Sequence, residues 1–190
     1  MIRLFIALPL EKKVKDELGE IIVILKQKGG SVKWVNPKNI HLTLKFLGDT
    51  EEHLVDEIKE QINVAAEKYE PVQSGISHIG AFPNLNRPRV IWAGIEKNKD
   101  ILMRIAGILD KKMNKLGWER ETRKFKSHLT LGRIRNLKGL ENLTGYLKEN
   151  QLKEIALIFD RITLFKSTLT PTGPIYDCLH EVKLITKSNQ

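Results

Sequence analysis

The tetrapeptide His-Leu-Thr-Leu occurs twice, at 41–44 and at 128–131, each time within a run that reads as a β-strand: HLTLKFLG in the first half and HLTLGRI in the second. Successive side chains of a strand point to opposite faces. His41 and Thr43 therefore share one face and Leu42 and Leu44 the other; His128 and Thr130 are divided in the same way from Leu129 and Leu131. The leucine faces call for cover by helices. The histidine faces do not, so a fold built on these strands needs sheets that are open on one side. Strict alternation carries the pattern further. It places Lys45 on the open face and Phe46 in the core, and it sends Arg133 to the apolar face unless a bulge at Gly132, or the end of the strand, re-aims it.

Around the two motifs, apolar residues at three- and four-residue spacings predict helices. Leu10, Val14, Leu18, Ile21, Ile22 and Leu25 form one stripe, stopped by Gly29-Gly30. A second stripe runs from Leu54 to Tyr69, opened by Thr50 as a cap and closed by Pro71, and a third from Ile101 to Met113 ends at Gly117. LENLTGYLKENQ reads as a weaker helix that Gly145 interrupts. Strands are expected at RLFIALPL, SVKWV, the hairpin GISHIGAFP/RVIWAGIE, KEIALIFDRITLFKSTL and GPIYDCLHEVKLI. The order predicts an α+β chain whose halves are diverged copies, each a small sheet with helices on its outer face. No Pro/Gly/Ser-rich linker divides them, so residues 1–190 are expected to form a single bilobal unit.

Lys and Arg number 32 against 23 Asp and Glu, a formal charge of +9, which favours an anionic partner such as RNA or DNA. The aliphatic run IIVIL is too short to span a bilayer, and MIRLFIALPL lacks the parts of a signal peptide. Cys178 is the only cysteine, which excludes an intrachain disulfide and a cysteine-rich metal site. These features predict a cytoplasmic protein without a membrane partner.

Two histidines facing one another across a cleft can act as general base and general acid, because imidazole titrates near neutral pH. A threonine two residues on can donate to a charged oxygen held between them. The natural occupant is a phosphodiester: one His takes a proton from water, the other protonates the leaving oxygen, and the threonines hold non-bridging oxygens. No metal is required.

The doubled motif resembles that of the two-histidine (2H) phosphoesterase superfamily, in its RNA 2′,3′-cyclic phosphodiesterase, or 2′–5′ RNA ligase, branch. The likeness extends to RLFIAL, KWVNPKNIHLTLKFLG, GAFPNLNRPRVIWAGI, KFKSHLTLGRI and LFKSTLTPTGPIYDCL, and so spans essentially the whole chain. The resemblance implies two pseudo-symmetric lobes, each an antiparallel sheet with helices outside, with a cleft between them. It implies metal-independent hydrolysis of an RNA-terminal 2′,3′-cyclic phosphate to a 2′-phosphomonoester, without cofactor, and a weak reverse ligation. The implied partner is RNA with such an end, tRNA fragments included, met by a monomer. His41 and His128 would be catalytic, with His41 favoured as acid and His128 as base, and Thr43, Thr130 and Arg133 would bind the phosphate. Two other readings stand beside it: a non-catalytic nucleotide or RNA binder using the same cleft, and a 2H enzyme for another small cyclic phosphate.

The remaining candidates have simpler readings. Trp34 and Tyr176 offer surface for base stacking but are expected to pack. His53 is expected to be solvated or capping, and His78 and His180, which lack the following threonine, to be structural. Arg120, Arg123, Lys124 and Lys126 lead into the second motif and would steer phosphate.

Overall fold

The structure is a computed structural model, and it describes residues 1–149 and 152–185. Among the described residues, nine strands form two antiparallel sheets. In chain order the elements are β1 (Ile2–Pro9), α1 (Lys12–Lys26), β2 (Ser31–Trp34), β3 (His41–Thr50), α2 (Val55–Ala66), β4 (Val72–Phe82), β5 (Val90–Ile95), α3 (Lys99–Lys115), β6 (His128–Asn136), α4 (Glu141–Glu149), β7 (Ile155–Phe159), β8 (Arg161–Thr170) and β9 (Gly173–Lys183). The first sheet has the order β3-β1-β8-β9 and the second β2-β6-β5-β4-β7. Each motif strand lies in its own sheet, and β3 and β6 adjoin one another between the lobes.

The helices arise where the apolar stripes predict them. Val14, Leu18, Ile22 and Leu25 are the buried face of α1, which ends before Gly29 and Gly30, both with positive φ. Ile58, Ile62, Ala65 and Ala66 are buried on α2; Leu102, Ile105, Leu109 and Met113 are buried on α3. Helices α2 and α3 pack on each other and on β3, β8 and β9 behind the first sheet, while α1 lies against β7 of the second. Leu42, Leu44, Leu129 and Leu131 all enter one connected apolar core shared by both sheets. Each such side chain contributes about 1.5–3 kcal/mol by leaving water.

Three expectations are corrected. The halves do not each build their own sheet: β2, from the first half, is the edge of the second sheet, and the C-terminal β8 and β9 complete the first. The run KEIALIFDRITLFKSTL is two strands, since the chain leaves the second sheet after Phe159 and enters the first at Arg161. Thr50 does not cap a helix. It ends β3 with its hydroxyl donating to the Gly48 carbonyl, 3.1 Å away, and a 3-10 turn at Glu52–Leu54 precedes α2.

Gly145 does not interrupt α4, which continues through it to Glu149; the expected final residues, Asn150 and Gln151, lie outside the described residues. A Cβ at Gly145 would meet open space. Gly145→Ala is therefore expected to stabilise the protein by about 0.5–1 kcal/mol through helix propensity, read as a raised urea midpoint. A lowered midpoint would show that α4 is strained there.

Candidate active site

His41 enters β3 from a 3-10 turn, Pro37–Asn39, whose first residues are held by the Asn36 side chain accepting from the Lys38 N–H. The His41 Nδ1–H donates to the Asn39 carbonyl at 2.7 Å. Asn39 also donates from Nδ2 to the Pro174 carbonyl at 2.8 Å, tying the β8–β9 hairpin to this turn. His128 repeats the device, its Nδ1–H donating to the Lys126 carbonyl at 2.7 Å. A carbonyl can only accept, so the proton of each neutral imidazole sits on Nδ1 and Nε2 carries the lone pair. Both rings are thus set up to exchange protons through Nε2.

Aromatic side chains hold each ring in place. Phe5 stacks on His41 at 4.7 Å and Tyr176 meets it edge-on at 5.4 Å. Phe82 and Trp92 stand edge-on to His128 at 5.0 and 6.5 Å. This desolvation pushes the His41 pKa down to about 4, opposed by the Asn39 carbonyl and helped by the charge of Lys15. His128 is also lowered, by burial first and then by Arg133 and Lys126, against the pull of the Lys126 carbonyl. The same Arg133 opposes the burial-driven rise of the Tyr176 pKa. One guanidinium therefore acts on a histidine of one lobe and on the ring packed against the histidine of the other.

Arg133 reaches this position through a bulge. In the β5–β6 ladder Trp92 is opposite Thr130 and Ile91 opposite Gly132, which leaves Leu131 as an extra residue. Leu131 and Gly132 are both buried, and Arg133 emerges exposed on the face of His128 and Thr130. The bulge lies one residue earlier than alternation required. The first motif has the same irregularity: Ala7 is opposite Thr43 and Ile6 opposite Lys45, so Leu44 is extra. This reverses two expectations. Lys45 is buried, and Phe46 is 69% exposed on the side of His41, its ring 6.2 Å from Phe5. Phe46 and Arg133 thus occupy equivalent places, each five residues after its histidine. Thr43 and Thr130 are half-buried, and neither hydroxyl has a hydrogen-bond partner among the described residues, so both remain free to donate.

A LigT-like phosphoesterase family model matches residues 8–92 and again 94–176, once for each motif-bearing part. The chain belongs to the LigT-like phosphoesterases. It is 36% identical over 182 residues to a Methanocaldococcus jannaschii protein named RNA 2′,3′-cyclic phosphodiesterase, covering 94% of this chain and 99% of the relative. A Thermotoga maritima protein of the same name is 34% identical over 179 residues, 94% of each chain. Among solved structures, a Thermus thermophilus protein superposes with a TM-score of 0.78 at 26% identity, covering 98% of this chain and all of that one. Escherichia coli LigT complexed with 3′-AMP superposes at 0.73 and 21% identity over 97% and 99% of the two chains, a likeness of fold.

Other residues of this phosphoesterase were not apparent from alternation. Lys45, turned inward by the bulge, donates to Asp110 Oδ1 and to the Glu119 carbonyl, both at 2.7 Å. Asp110 also accepts from Arg120 Nε at 2.5 Å and from the Glu121 N–H at 3.0 Å. Burial would raise the Asp110 pKa, but these hydrogen bonds outweigh it and hold the carboxyl below its usual range. Trp118 adds a bond from Nε1 to the Leu47 carbonyl at 2.8 Å. The strand of the first motif is thereby fastened to the loop that delivers the second. Arg120, expected to steer phosphate, is spent on this network, whereas Arg123, Lys124 and Lys126 are exposed. The sequence signal was a single acid on the buried face of α3 beside Leu109.

The exposed His53 Nδ1 lies 3.2 Å from a Glu51 carboxylate oxygen, and the His180 ring bonds Asn63 at 2.7 Å, both away from the motifs. Trp34 packs beneath Gly132 on the core side, and Tyr176 packs against Phe5, His41 and Phe165, both as expected. Asp110→Ala leaves Lys45 buried without its partner, and a loss of about 3–5 kcal/mol is expected in urea denaturation at neutral pH. A loss under about 1 kcal/mol would mean that Lys45 reaches water in solution.

Proposed function

We propose that this protein hydrolyses an RNA-terminal 2′,3′-cyclic phosphate to a 2′-phosphomonoester. The observation that carries the reading is the matched pair of histidines, each with Nδ1–H bonded to a backbone carbonyl and Nε2 left for proton transfer. His128 takes a proton from the attacking water as the new P–O bond forms. His41 gives its Nε2 proton to the 3′-oxygen as that P–O bond breaks. Thr43, Thr130 and Arg133 bind the non-bridging oxygens, where negative charge grows. Phe46 offers an uncovered ring to the base of the reacting nucleotide. The steps need no metal. In the same reading the RNA is a processed end such as a tRNA fragment, the enzyme acts as a cytoplasmic monomer, and joining through a 2′–5′ linkage is the same ring opening with an RNA 5′-hydroxyl attacking in place of water.

The depressed histidines fix how the acid obtains its proton. Burial lowers both rings; at His41 the charge of Lys15 adds to it, and at His128 the charges of Arg133 and Lys126 do, so a bound phosphate anion, by offsetting these cations, favours the protonated ring that the acid requires. A low pKa then makes the bound imidazolium a strong acid. The free enzyme needs one protonated and one neutral ring, and above both pKa values that form declines tenfold per pH unit. The profile of kcat/KM is accordingly expected to be bell-shaped with its maximum below pH 6.5, the ordinary histidine value. A maximum above pH 8 would contradict the two-histidine account.

The direct test is a short RNA ending in a 2′,3′-cyclic phosphate, incubated with EDTA, the phosphate position being read in the product. His41→Ala and His128→Ala should each lose about 10²–10⁴-fold in kcat, as removal of an acid or base does. Phe46→Ala should raise KM about 10-fold with a smaller change in kcat. Tight binding of a 2′-phosphorylated end without turnover by the wild type would instead assign the cleft to recognition.

A further inference from the structure

His78 has no part in the chemistry above, yet it lies on the catalytic face. Across the second sheet, His78 on β4 is opposite Gly94 on β5, and Gly94 is opposite His128 on β6, so both imidazoles project from the same side. One step along, Gly80, Trp92 and Thr130 form the next row. The glycines let the rings lie down on the sheet. A Cβ on Gly94 would come within 2.2 Å of His78 Cε1, and a Cβ on Gly80 within 2.6 Å of Trp92 Cζ2. The result is a run of rings: Phe82 stacked on Trp92 at 4.8 Å, then His78 edge-on to Trp92 at 5.2 Å. Trp92 holds its place by ring contact, since its buried indole N–H finds no acceptor among the described residues.

Packing of His128 accounts for Phe82 and Trp92, which both touch it. It does not account for His78, whose ring contact is with Trp92 and whose hydrogen bond is between Nδ1 and the neighbouring Ser77 hydroxyl at 3.0 Å. His78 is only half-buried, and its Nε2 has no partner among the described residues. Cations border the run at its Phe82 end. The Ser127 carbonyl accepts from the Ile95 N–H at 3.1 Å, which lays the loop before β6 beside Gly94. That loop exposes Arg123, Lys124 and Lys126, the last with its ammonium 4.8 Å from the centre of the Phe82 ring.

We propose that His78, backed by Trp92, is a stacking subsite for the base of the nucleotide on the 5′ side of the cyclic phosphate. The exposed cations of the 123–126 loop then face the phosphate that joins that nucleotide to the reacting one. The inference rests on the RNA-end reading above: such a substrate always carries a preceding nucleotide, whereas a mononucleotide does not. An exposed aromatic ring beside cations takes bases with little regard to sequence, so the subsite reads chain length rather than base identity.

The test compares kcat/KM for a dinucleotide ending in a 2′,3′-cyclic phosphate with that for a mononucleoside 2′,3′-cyclic phosphate. Wild type is expected to prefer the dinucleotide by about 10-fold or more, the scale of one base stacked on an aromatic side chain. His78→Ala should bring that ratio close to one, and His78→Phe, which keeps a flat ring, should restore most of it. Taking a ratio cancels any shared effect on His128. A wild-type ratio near one overturns the proposal, as does a ratio unchanged in His78→Ala, or one that His78→Phe fails to rescue. Failure of the underlying reading looks different: wild type would then turn over neither substrate.

Discussion

One extra residue in each motif strand organises the rest of the site. Leu44 and Leu131 stand where a regular ladder has no place for them, and after each the inward and outward sides exchange. Without that shift a guanidinium would enter the core and a phenyl ring would leave the face that holds His41. A bulge re-aims side chains at small backbone cost and commonly lies beside active sites. Here it allows a strand of leucine-rich core to present His, Thr and either Arg133 or Phe46 on a single open face.

The two lobes then differ in what the shift turns inward. In the first it is Lys45, which is tolerable only because Asp110 and the Glu119 carbonyl receive its protons. In the second it is Gly132, where a Cβ would lie 2.7 Å from Val32 and 2.9 Å from Trp34. An ion pair solves the packing problem on one side and the absence of a side chain solves it on the other. The ionic solution does more than fill space, since it ties β3 to the loop before His128. Outside the motifs the symmetry of the site is approximate: an aromatic ring in one lobe occupies the place of a cation in the other. That difference suits a nucleotide, which has a flat base at one end and a charged phosphate at the other.

Much of this was legible from letters alone. The repeated His-Leu-Thr-Leu identifies two strands, their open faces and four residues of the candidate site, because a period of two leaves a polar residue pair no other face. Helical stripes located α1, α2 and α3 because burial repeats every three to four residues. Phe46 and Lys45 were read on the wrong faces for the same reason that His41 and Thr43 were read on the right ones: alternation holds only while the ladder is regular. His78 reads as structural in the sequence because it lacks the following threonine. Its significance comes from Gly94, sixteen residues on, and from His128, which only the sheet register brings into line with it.

The sequence by itself determined which two imidazoles and two hydroxyls share strand faces, at spacings that a strand converts into a common side, and it determined the family. The tertiary structure decided which strands share a sheet, where the ladders slip, and which cations are exposed beside the motifs and which are buried. Those are properties of pairing between distant segments. A bulge depends on what the neighbouring strand offers as much as on the strand that contains it, and a buried lysine is admissible only where the fold supplies an acid. Local pattern records what each side chain prefers, and the packed sheet settles which preferences are met.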